Sequence, residues 1–154
     1  VSFTPTFEEF ALSSIALTLA QCLLTASALI IFALGALHLL FTFAGSSLQP
    51  RDEALMARMH EIAPKISRET SMWKAWVGFN ASHSFGALLF GSVYAYLALV
   101  HGRLLFASPY LLSVGLVLLC GYVFLGKRYW FSVPYRGILL ATALYVAALI
   151  ATGF

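Results

Sequence analysis

His38, Asn80 and His83 are the residues on which any chemistry in this sequence would rest, because each interrupts a run of otherwise apolar and small side chains. Such a residue inside an apolar span is costly unless it is hydrogen-bonded, bound to a ligand or facing a cavity. Trp76 lies one helical turn before Asn80, and Tyr129, Trp130, Tyr135 and Arg136 enter from a later connection. His38, Trp76, Asn80, His83 and Arg136 form the candidate ligand-binding set. Three chemistries fit it. The first is a hydrogen-bond cluster that fixes helix packing. The second is a pocket for a lipid, a quinone or another small molecule in the headgroup layer. The third is axial haem ligation by His38 and His83 on facing helices. No cofactor is singled out, and no other metal is expected. Zinc or di-iron chemistry needs further ligands, and no Asp or Glu lies within these runs.

The same residues offer little to catalysis. No carboxylate stands ready for acid–base work. Ser82 and Ser84 flank His83 in sequence, but neighbours in a helix do not face one another. There is no glycine-rich phosphate loop and no paired-cysteine motif.

The elements that must position these residues are membrane helices. The chain has 154 residues, of which 61% are hydrophobic and 10% charged, with a mean hydropathy of +0.90. A soluble domain carries about a quarter charged residues, so a lipid environment is the consistent one. Four apolar runs stand out, at residues 12–44, 72–100, 104–126 and 134–154. The first is long, roughly 50 Å as a helix, against a hydrocarbon core near 30 Å. Gly45, Ser46, Ser47 and Pro50 end it. Glu8 and Glu9 precede it without a Lys or Arg, which predicts a retained span rather than a cleaved leader. Phe3, Phe7 and Phe10, around Pro5, suit an interfacial entry.

Residues 51–71 are the one charge-rich stretch. Their spacing predicts an amphipathic helix at the membrane surface, favoured at its start by Asp52 and Glu53 and broken at Pro64. Pro109 suits the first turns of the third span, and Pro134 the first position of the fourth. Cys22 and Cys120 lie in apolar runs and are expected to be small buried hydrophobes rather than a disulfide. The expected fold class is an all-α membrane protein: a single transmembrane domain over residues 1–154, built as a four-helix bundle with a short amphipathic cytosolic connecting helix.

Four spans place both termini on one side. Arg51, Arg58, Lys65, Arg68 and Lys74 lie between the first and second spans, and Lys127, Arg128 and Arg136 between the third and fourth; only Arg103 lies between the second and third. The positive-inside rule puts the two basic connections in the cytosol and both termini outside. The net charge of +3 encodes topology, not nucleic-acid binding.

The second span has two separable faces. At about 100° per residue, Trp76, Asn80, His83, Ala87, Gly91 and Tyr94 fall within an arc of about 80°. Gly78, Ser82 and Gly86, spaced by four, form a second stripe suited to close helix packing. Tyr94, Tyr145 and the other span tyrosines are expected to pack with their hydroxyls satisfied. Around Trp76, Gly78, Phe79, Asn80, Ser82, His83 and Ser84 the chain resembles a group of small, uncharacterised bacterial membrane proteins of about four spans. That resemblance implies a bacterial inner membrane and transfers no activity.

The functional expectation is a small non-catalytic integral membrane protein, an accessory or structural subunit of a larger membrane complex. Its partners would be membrane lipids and either other subunits or further copies of the chain. The alternative is a lipid-, quinone- or haem-binding protein or enzyme that uses the cytosolic-side pocket around His38, Asn80 and His83.

Overall fold

The computed structural model describes residues 7–153, with side chains from residue 14 onward; the expected interfacial entry of residues 1–11 lies outside the described side chains. Among the described residues the regular structure is all helical: α1 (Phe7–Phe43), α2 (Glu53–Glu61), α3 (Met72–Val100), α4 (Gly102–Phe106), α5 (Pro109–Tyr129) and α6 (Ser132–Ala151). Four of them, α1, α3, α5 and α6, are long and apolar enough to cross a membrane. Long, mostly apolar runs make them, and lipid accepts their outward apolar side chains while the helix satisfies the backbone.

The helix ends follow local chemistry. Gly45 adopts φ 85° two residues past the end of α1, a conformation that costs glycine no Cβ clash. Asp52 caps α2, its Oδ1 accepting from the N–H groups of Ala54 (2.9 Å) and Leu55 (3.2 Å). This helix is shorter than the charge-rich stretch that contains it. It ends at Glu61, and Ile62 is already extended, as the proximity of Pro64 requires.

The third span begins later than its apolarity suggests. Residues 102–106 form the separate α4, and α5 starts at Pro109. Ser108 is extended and caps α5 by accepting from Leu111 N–H at 3.3 Å. The proline holds the residue before it out of the helical region, which splits the run. Pro134 sits at the third position of α6 rather than the first. It is tolerated there because first-turn N–H groups have no helical partner in any case.

Contacts sort the chain into two compact units, one within Val1–Phe32 and Leu89–Phe154, the other Ala33–Leu88. In the first unit, Gly91 of α3 lies against α1. A Cβ on Gly91 would stand 2.5 Å from Phe32 Cβ and 2.7 Å from Ala28 O. Gln21 Nε2 donates to Ala98 O at 2.9 Å, one of the last carbonyls of α3, which have no helical partner. Gly102 is seated against the Gln21 side chain, leaving no room for a Cβ.

Helices α5 and α6 form an antiparallel hairpin joined by Trp130 and Phe131. Tyr145, completely buried, donates to Leu112 O at 3.0 Å, and Tyr94 donates to Leu111 O at 2.6 Å. Both rings lie over Gly115, whose hydrogen leaves them space. Tyr94 and Tyr145 thus pack with satisfied hydroxyls, as expected of the span tyrosines, whereas Tyr96 and Tyr110 are exposed.

Cys22 and Cys120 are free thiols, and they depart from expectation in being exposed rather than buried. Against hydrocarbon a small apolar thiol gains little from protein burial, so composition alone does not turn it inward.

Candidate functional site

The polar residues of α3 and His38 meet in the second unit. Here α1 and α3 run antiparallel, and Gly35 permits their close approach. A Cβ on Gly35 would stand 2.8 Å from Ala87 Cβ and 3.2 Å from both Leu88 N and Ser84 O. One turn further along α1, His38 Nε2 lies 3.0 Å from Asn80 Oδ1. Asn80 Nδ2 donates to Trp76 O at 2.8 Å. With the amide nitrogen so engaged, Oδ1 is the atom left for His38, and a carbonyl oxygen only accepts. His38 Nε2 therefore carries the proton in this bond.

The surrounding hydroxyls serve the same two helices. Ser84 Oγ donates to Asn80 O at 2.9 Å, and Thr42 Oγ1 donates to His38 O at 2.8 Å. Ser82 Oγ donates to Phe79 O at 2.9 Å. The His83 ring meets the His38 ring edge to face, with centroids 5.5 Å apart and planes at 85°. His38, Asn80 and His83 are all half-buried. Trp76 is exposed at its ring, yet its Nε1 donates to Leu48 O at 3.1 Å. That bond ties the start of α3 to the chain leaving α1.

The structure thus brings His38, Trp76, Asn80 and His83 into one connected set. Arg136 is exposed on the first turn of α6 and belongs to the other unit. Gly78, Ser82 and Gly86, expected as a packing stripe, are all exposed, and a Cβ on Gly78 would meet nothing within 4 Å. Among the described residues, close approach is made by Gly35 of α1 and by Gly91 of α3, the latter on the α3 face that also carries Asn80 and His83. The reason is that the polar groups must be covered first, and the small residues nearest to them set how closely the covering helix can come.

Chemically, the set can accept and donate hydrogen bonds but holds no acid. Among the described residues no three His, Cys, Asp or Glu side chains converge as a metal site. Two surface hollows lie in the first unit, one of about 380 Å³ along Ser14, Thr18 and Cys22, the other of about 360 Å³ beside Leu17, Arg103 and Thr152. Neither is lined by a residue of the candidate set.

Gln21, Gly35 and the Leu48 carbonyl lie outside the candidate set that the sequence offers. The signal for Gln21 was present: a lone amide in an apolar helix needs a partner, and a helix end supplies carbonyls. Which end it reaches depends on helix pairing, which no local spacing encodes. No protein-family model, curated protein or solved structure matches the chain.

Proposed function

We propose that this is a small multi-pass membrane protein with no reaction of its own, acting as a structural or accessory subunit in a larger membrane assembly. The observation that carries this reading is the closure of the polar set on itself. Both ends of the Asn80 amide are engaged, one by His38 and one by Trp76 O. The His38–Asn80 bond therefore ties α1 to α3. The exposed stripe of Gly78, Ser82 and Gly86 supplies the surface that a helix of a partner subunit, or of another copy, would approach closely. The excess of Lys and Arg in two of the three connections supports an orientation with those connections in the cytosol. The resemblance around Trp76 to Ser84 supports a bacterial inner membrane.

The test is cross-linking in native membranes. Ser82→Cys, in a Cys22→Ala and Cys120→Ala background, should cross-link to a second membrane chain or copy. Native mass spectrometry from mild detergent should then retain that partner. A lone monomer holding a small molecule would overturn the subunit reading, and a Soret band in its absorption spectrum would identify that molecule as haem.

A further inference from the structure

The connection between α1 and α3 carries exposed apolar side chains that nothing covers among the described residues. Ile66 is 92% exposed, Leu55 51% and Ile62 42%, and no residue of α2 is buried. Exposed apolar residues scattered singly on a surface are ordinary. Ile62 and Ile66, however, stand at the base and the tip of one constrained loop. Ser67 N–H donates to Pro64 O at 3.2 Å, closing a tight turn with Lys65 and Ile66 at its tip. Ser67 Oγ accepts from Glu69 N–H at 3.1 Å, and Ser71 Oγ accepts from Lys74 N–H at 3.3 Å.

The base of this loop is pinned to a span. Met72, the first residue of α3, donates its N–H to Ile62 O at 2.8 Å. The His60 ring lies 5.6 Å from the Trp73 ring. The loop of residues 62–72 therefore cannot swing far from the place where α3 begins. Lys65 and Arg68, both exposed, flank Ile66. The one acid beside them is Glu69; the ion pair on this connection joins Arg58 to Glu61 at 3.6 Å. An aliphatic tip between two long basic side chains matches the bilayer interface. Its carbon enters the acyl boundary while the amines reach lipid phosphates.

We propose that this loop is a membrane-docking finger: Ile66 at its tip inserts among the headgroups of the bilayer that α3 spans, and Lys65 and Arg68 bind the phosphates of anionic phospholipid. The finger depends on α3 as a span and is independent of whether the chain joins a larger assembly.

The experiment places a nitroxide at Ile66→Cys or, separately, at Glu69→Cys in the full chain lacking Cys22 and Cys120. Vesicles of phosphatidylcholine with phosphatidylglycerol receive each protein, and circular dichroism verifies its helix content. Power saturation with oxygen and with a water-soluble nickel chelate then reports depth. The oxygen-to-nickel ratio at position 66 should exceed that at position 69 severalfold. Lys65→Glu with Arg68→Glu should lower the ratio at 66. Equal ratios at the two positions would overturn the proposal. So would a position 66 shielded from both reagents, which would mean a protein contact. An unchanged ratio in the charge-reversed protein would overturn the phosphate contact.

Discussion

Asn80 shows what a single amide does in an apolar helix. Its Nδ2 returns to its own helix at Trp76 O, which orients Oδ1 toward His38 on α1. Removing either partner strands the other, so the two substitutions should not add. Such bonds in membrane proteins couple by about 0.6 kcal/mol on average, and at most about 1.7. His38→Ala and Asn80→Ala should each destabilise the protein, and a double-mutant cycle in reversible detergent unfolding should return a coupling of that size. Strict additivity would mean that the pair contributes nothing. That His38, Asn80 and His83 share one level of α1 and α3 was legible in the sequence, since each sits a similar distance from the same end of its span. That His38 and Asn80 bond to one another was not. It depends on the rotation of two helices about their axes, which Gly35 and Ala87 set by letting the backbones close.

At the scale of helices, the two small-residue stripes of α3 play different parts. Gly91 has Phe32 Cβ and a backbone carbonyl where its own Cβ would go, and backbone does not yield cheaply. Gly91→Ala should cost about 1–3 kcal/mol as an overpacked contact. Gly78 has open space, and there alanine should be neutral or stabilise by up to about 1 kcal/mol through helix propensity. Thermal unfolding in detergent of the two variants side by side checks the contrast; equal destabilisation would mean that Gly78 is packed after all. The four long helices could be read from composition, because a water-facing surface cannot be built from so few charges. Their ends could be read only where a cap or a proline stands, as at Asp52 and Ser108. The face each helix turns inward was half legible. The arc holding Asn80, His83, Ala87 and Gly91 is the packed one, whereas the stripe of Gly78, Ser82 and Gly86 has the same small-residue signature and lies exposed.

For the whole molecule, charge asymmetry is the strongest sequence signal of orientation, and it makes a direct prediction. In a protein lacking Cys22 and Cys120, His101→Cys should react with an impermeant maleimide added to spheroplasts. Glu61→Cys should react only after the membrane is opened. The reverse pattern would invert the topology. The division of contacts into two units left no mark in the sequence, because α1 and α3 run through it as unbroken helices. One consequence of their lengths remains. At 1.5 Å per residue, α5 and α6, with 21 and 20 residues, span about 30 Å, close to an average hydrocarbon layer. By the same measure α3, with 29 residues, reaches about 43 Å, and α1, with 37, about 55 Å. A bilayer of longer acyl chains would suit the second pair and stretch the first, and a thin one would do the opposite. The hairpin, joined by a two-residue link, matches an average layer with little tilt. Helices as long as α1 and α3 fit such a layer by tilting or by projecting beyond it. In a cell with membranes of unequal thickness, that division of labour would act as a sorting signal.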